Sequence, residues 1–307
     1  MEKRLSRTDL LFALGFLFLL IVAIAAFFSG VKVGTQRTEA LYAKPSPTME
    51  ARTVTSPNAY TQQDLVSFYH NVFLPHREWM AEWSAARTRW LSDDTADRSA
   101  SLKELAKLAA AKYEESKVTA VSSVSPLLMN AQNNYLKSLK LFENSLGEMA
   151  AKVNDGSSAS AIAAVSKNAY FSEGIRLTLL AQSQYYNAML KWGATVNLSL
   201  PDNYELPNVL PNSEWSKLPL LVKNAIAAQY MFKNRSDYDY LPQDLTARID
   251  QFINSGQADK MKQKTVRSTV DMLMGTGAIR SGDYLSLRSR YYAKELLPML
   301  PFFSSDT

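Results

Sequence analysis

Hydrophobic and polar positions divide this chain into stretches with different periods. The first is Leu10–Phe28, nineteen residues without a charge. At about 1.5 Å rise per residue, a helix of that length covers close to the ~30 Å hydrocarbon core of a bilayer. A water-exposed helix would show a polar face, and this run shows none. It is also longer than the ~7–15 apolar residues of a cleaved signal peptide. Its small-x-small site, Ala23-Ile-Ala25, lies inside the run. The pattern predicts a retained transmembrane anchor at 10–29, preceded by a nine-residue tip. Residues 30–60 have no apolar period and contain Lys44-Pro-Ser-Pro-Thr48 and Thr53-Val-Thr-Ser-Pro-Asn58, so they are expected to form a flexible tether.

From 61 to 197 the period is helical. Thr61-Gln-Gln-Asp64 has the form of a capping box, with Asp in place of Glu or Gln. The helix it starts carries Leu65, Phe68, Tyr69 and Val72, and Pro75 kinks it or begins another. Trp79, Trp83, Ala86 and Trp90 then step by four, three and four, the spacing of a core stripe. A second helix, Asp97 to Val121, sets Leu102, Leu105, Leu108 and Tyr113 against a face of mixed charge. In a third, capped by Ser125, Leu128, Tyr135, Phe142 and Met149 repeat every seven residues, with Leu139, Leu146 and Val153 between them. This is a heptad seam. After Asn154-Asp-Gly-Ser-Ser158, a fourth helix from Ala159 to Val196 repeats Phe171, Thr178, Tyr185 and Trp192. Two such helices joined by a short loop must lie antiparallel.

Periodicity stops at 198–219, where Pro201, Pro207, Pro211 and Pro219 mark a connector rich in apolar residues. Shorter helices follow in 220–307: Pro219 to Phe232, one from Pro242 to Ser255-Gly256, Gln257 to Met274, and a last one capped by Ser281 or Asp283. The fold class expected is all-α. An N-terminal transmembrane helix leads into an elongated antiparallel bundle with heptad-like seams and a smaller C-terminal helical unit.

Charge sets the orientation. Lys3, Arg4 and Arg7 precede the apolar run, and Lys32, Arg37 and Lys44 follow it. The preceding set lies closer and gains the free N-terminus, and long domains translocate largely regardless of their own charge. The N-terminus is therefore expected in the cytoplasm, with the bulk outside. The net charge of +5 concentrates between Gly256 and Leu297, where eight basic residues face four acidic ones. Lys260, Lys262, Lys264, Arg267, Arg288 and Arg290 are candidates for contact with an anionic lipid, wall polymer or acidic protein.

Candidate chemistry is sparse. The chain has no cysteine, which excludes disulfides and thiolate metal sites. His76, Glu78 and Glu82 lack the spacing of a helical zinc motif, and Gly275-Thr-Gly277 with Gly282 fits neither phosphate-loop pattern. Thr178 and Gln182 interrupt the fourth helix's seam, and Tyr185 adds a hydroxyl at the same level. These three are the candidate lining of a ligand pocket between helices, although polar seam residues more commonly fix register. No cofactor, metal, catalytic motif or nucleic-acid module is recognised. The sequence predicts a single-pass, membrane-anchored interaction or scaffold protein of a bacterial envelope, with an unidentified protein partner. The alternative is a small-molecule-binding or sensory module acting through a partner.

Overall fold

A computed structural model describes residues 59–235 and 237–304. The expected anchor at 10–29 and nearly all of the tether lie outside them. Among the described residues every regular element is helical, with one isolated β-bridge between Pro211 and Thr265. No helix among them is long and apolar enough to cross a membrane.

The first helix, α1, spans Gln62–Phe68 and carries the expected capping box. Thr61 Oγ1 accepts from Asp64 N at 3.1 Å, and Asp64 Oδ2 accepts from Thr61 N at 3.0 Å. A π-helical turn, Tyr69–Phe73, joins it to α2, Leu74–Ser92. The widened turn stands directly before Pro75, whose ring would collide with the carbonyl of Asn71 in a regular helix. Trp79, Trp83, Ala86 and Trp90 of α2 are buried in the core. Helix α3, Arg98–Lys117, is capped by Asp97, whose Oδ1 accepts from Ala100 N at 3.0 Å.

Helices α4 (Pro126–Met149) and α6 (Ala169–Val196) form the largest helix–helix contact. Asn134 bonds Gln184 at one level and the Phe142 ring meets Phe171 at another, so the two run antiparallel. Likewise Trp79 Nε1 donates to Leu105 O, and Gln132 Nε2 to Thr119 O. These contacts make α2, α3, α4 and α6 alternate in direction. Leu128, Tyr135, Leu139, Phe142 and Leu146 are buried, as are Phe171, Ile175, Tyr185, Met189 and Trp192.

Three local expectations need correction. Ser125 precedes α4 but does not cap it with its side chain; its hydroxyl accepts the Tyr60 N–H at 3.1 Å instead. The helix expected from Ala159 to Val196 is two, α5 (Ser158–Lys167) and α6, because Asn168 is extended and its Oδ1 caps Tyr170 N and Phe171 N. The helix expected from Gln257 to Met274 is also two, α10 (Gln257–Lys260) and α11 (Val266–Gly275). Lys262 takes a positive φ between them and Thr265 caps the second.

The chain from 198 to 219 packs through Leu200, Leu210 and Trp215, the last in the one-turn α7, Asn212–Trp215. Helix α8, Leu220–Asn234, is buried on almost all sides because α6 covers one flank and α9, Pro242–Asn254, another. Helices α11 and α12 (Asp283–Tyr291) pack on α9. Gly282, with φ of 87°, precedes α12 in place of a side-chain cap from Ser281 or Asp283. The chain then returns to the start of α1. Met299 N donates to Gln62 Oε1 at 3.1 Å, and Phe302 lies among Tyr69, Phe73 and Tyr186. Buried apolar side chains from Ala59 to Phe303 form one continuous cluster.

Candidate functional site

A cluster of buried polar groups lies where α7, α8, α9 and the end of α12 converge. Asp250 of α9 is its hub. Oδ1 accepts from Trp215 Nε1 at 2.8 Å and Lys223 Nζ at 2.9 Å, and Oδ2 accepts from Lys223 Nζ at 3.1 Å and Tyr292 Oη at 2.7 Å. The Lys223 ammonium also sits 5.6 Å from the centre of the Trp215 ring. Burial, and then the Asp250 charge, push the Tyr292 hydroxyl well above the ordinary tyrosine range. It therefore remains a donor to Asp250. Four hydrogen bonds on two oxygens leave this carboxylate occupied, so it positions its donors and is not a free general base.

Lys223, Asp250 and Tyr292 form the inner wall of an open groove of about 470 Å³. Its rim carries Ser216, Lys217, Asn254, Tyr291 and Glu295. Glu295 also borders two neighbouring concavities, of about 270 Å³ and 420 Å³. The groove offers cationic, anionic, amide and phenol groups together, a surface suited to polar ligands or a polypeptide. Sequence reasoning missed this cluster. Lys223 was the available signal, a lone charge inside the apolar run Leu220–Met231. Its partner Asp250, 27 positions away, was not legible from spacing.

Thr178 and Gln182 do share a lining, together with His76, but the space between them is about 10 Å³. That holds one water at most. His76 Nε2 lies 3.0 Å from Ser138 Oγ and 3.1 Å from Thr178 Oγ1. Ser138 Oγ donates to Tyr135 O at 2.7 Å, so it is the acceptor toward His76 and the imidazole proton belongs on Nε2. His76 Nδ1 is buried without a hydrogen-bond partner. Burial, reinforced by the Arg77 charge, lowers the His76 pKa to about 3. Gln182 Nε2 reaches only Met231 Sδ, at 3.8 Å. The Tyr185 hydroxyl turns away to donate to Leu65 O at 2.8 Å.

The basic residues divide into two sets. Lys260, Lys262, Lys264 and Arg267 are exposed along α10, the following loop and the first turn of α11. Arg288 and Arg290 belong to α12, where the Arg290 guanidinium lies 5.2 Å from the centre of the Tyr291 ring. Arg267 pairs loosely with Asp271, at 3.9 Å. Among the described residues no group of three or more His, Asp or Glu side chains is placed to hold a metal ion.

The chain matches no protein-family model, no curated protein and no solved structure.

Proposed function

We propose that this chain is a single-pass, membrane-anchored helical interaction or scaffold protein with its bulk on the outer side of a bacterial cytoplasmic membrane. The observation that carries this reading is the uncharged run Leu10–Phe28, preceded by Lys3, Arg4 and Arg7 and followed by a long helical chain. The anchor holds the helical unit at the membrane, and the helical unit presents surfaces to a partner. The groove beside Asp250 is the partner-facing surface of choice, because its rim mixes both charges with an aromatic ring around an ordered wall. The basic residues at 260–267 are a second, on which an acidic partner would sit.

Two measurements test the reading. Carbonate washing of membranes should leave the chain in the pellet, and a C-terminal reporter active only outside the cytoplasm should report while one active only inside should not. The reverse reporter result overturns the orientation, and release by carbonate overturns the anchor. Crosslinking in intact cells, with Lys217→Glu as the comparison, should then capture a specific protein whose yield falls in the variant.

A second reading keeps the groove but fills it with a small polar molecule. It is favoured by the groove's volume of about 470 Å³ and by the cationic Lys217 on its lining. A thermal-shift screen of small anions and amides would reveal it as a raised melting temperature abolished by Lys217→Met.

A further inference from the structure

We infer that the end of the helical unit at which Ala59 begins is seated on the surface of a lipid bilayer. This rests on the membrane-anchored reading. Four segments meet at that end. Tyr60 N donates to Ser125 Oγ at 3.1 Å and Tyr60 Oη accepts from Leu127 N at 3.3 Å, which joins the start of the unit to the loop before α4. The Gln62 side chain bonds both backbone groups of Met299, which brings in the C-terminal segment. Leu296 shares a concavity with Asn197, Ser199 and Leu200, which brings in the end of α6. The antiparallel pairing of α4 and α6 requires this: where α4 starts, α6 must finish.

Most of the exposed large apolar side chains are collected there. Val118, Val124, Val196, Leu198, Leu296 and Met299 are six of the eleven among the described residues. Leu198 is 85% exposed and Met299 80%. The opposite end of the bundle has two, Leu91 at the close of α2 and Tyr170 at the opening of α6. Apolar residues scattered singly on a surface need no explanation, but a collection at one end does.

Chain order says what covers this end. Ala59 is its first described residue, and Leu10–Phe28 lies thirty residues before it. Thirty residues reach at most about 100 Å fully extended. The chain that carries the apolar run therefore joins the unit at this end, and the tether is long enough for the end to reach the bilayer. Charge at this end is mixed: Lys294 stands beside Glu295, and Lys191 lies 4.0 Å from Asp202. The contact is therefore apolar in character and does not require anionic lipid.

The absence of cysteine makes the test direct. Single variants Leu198→Cys, Met299→Cys, Leu91→Cys and Tyr170→Cys of the full chain are labelled with a fluorophore. They are reconstituted in phosphatidylcholine vesicles, with and without a lipid bearing a nitroxide quencher near the headgroup. All four positions are exposed, so substitution leaves the core intact, which far-UV circular dichroism verifies. Quenching at 198 and 299 should exceed that at 91 and 170 several-fold, and should persist without anionic lipid. Equal quenching at all four positions, with the protein retained after a carbonate wash, overturns the seating and leaves the anchor standing. Labels at 198 and 299 that are shielded from an aqueous quencher but not reached by the lipid quencher also overturn it, and point to a second copy of the chain. Release of the protein by the wash overturns the seating and the anchor together.

Discussion

The Lys223 ammonium lies 2.9 Å from Oδ1 of Asp250, and both side chains are inside the protein, at 10% and 5% exposure. A buried pair is costly to break from one side, because the survivor keeps its charge without its partner. Lys223→Met or Asp250→Leu should each destabilise the fold by about 3–5 kcal/mol. The double variant Lys223→Met/Asp250→Leu should lose much less than the sum, since neither charge is left stranded. Tyr292→Phe, which removes one donor, should cost about 1–2 kcal/mol. Urea titrations followed by tryptophan fluorescence give all four values. Additive losses would mean that the pair is not coupled.

His76 makes stability depend on pH. Its folded pKa, about 3, lies below the ordinary value near 6.5, so the unfolded chain binds the extra proton throughout that interval. Stability is therefore complete above about pH 6.5 and falls as the pH drops toward 3. By pH 5 the loss attributable to His76 is ~2 kcal/mol. The variant His76→Gln, which keeps an amide donor toward Ser138, should show a correspondingly flatter profile between pH 7 and 5. Asp244, whose carboxyl burial holds above the ordinary range, shifts in the opposite sense. The difference between the two profiles therefore carries the test. Parallel profiles would show that His76 is protonated in the folded state.

The helical core was legible because its signals are local and periodic. The steps of Trp79, Trp83 and Trp90, and the sevenfold repeat of Leu128, Tyr135 and Phe142, place those residues inside whatever they pack against. The break at Asn168 was less so: its side chain caps only two residues, and the apolar period runs on through it. The Asp250 cluster was not legible at all. Trp215, Lys223, Asp250 and Tyr292 come from four separate segments, and only the packing of α8 between α6 and α9 brings them together. His76 was visible as a lone histidine. Its partners Ser138 and Thr178, 62 and 102 residues away, were not.

Two helical glycines should respond to alanine with opposite signs. At Gly174 an added Cβ would stand 2.5 Å from Cε1 of Phe142. That ring cannot retreat, because it is stacked on Trp79 at 4.1 Å and packed on Phe171 at 5.2 Å. Gly174→Ala should therefore destabilise by about 1–3 kcal/mol, the cost of overpacking outweighing the helix propensity of alanine. At Gly147, exposed near the end of α4, a Cβ meets nothing within 4 Å. Gly147→Ala should stabilise by about 0.5–1 kcal/mol. The two midpoints in one denaturation series decide the matter, and a stabilising Gly174→Ala would show that α4 and α6 are less tightly packed than these contacts require.

Arg98 closes the far end of the bundle. It opens α3 and is buried, and its guanidinium donates to Val153 O at 2.8 Å, Asn154 O at 3.0 Å and Gly156 O at 2.8 Å, with Ser158 Oγ at 3.2 Å. The three carbonyls belong to the chain between α4 and α5, which turns through Gly156 at a φ of 86°, and Ser158 opens α5. The carbonyls there have no helical partner, and the planar fork supplies donors in the directions they need. A lysine ammonium presents its donors from one point and cannot span three carbonyls. Arg98→Lys should thus lose nearly as much as Arg98→Met, about 2–4 kcal/mol, with both leaving buried acceptors unsatisfied. Hydrogen exchange locates the effect: amides from 150 to 158 should exchange faster at native conditions, while those of α8 remain protected up to global unfolding. Rescue by lysine would assign the role to charge alone, and unchanged exchange at 150–158 would remove Arg98 from the closure of this turn.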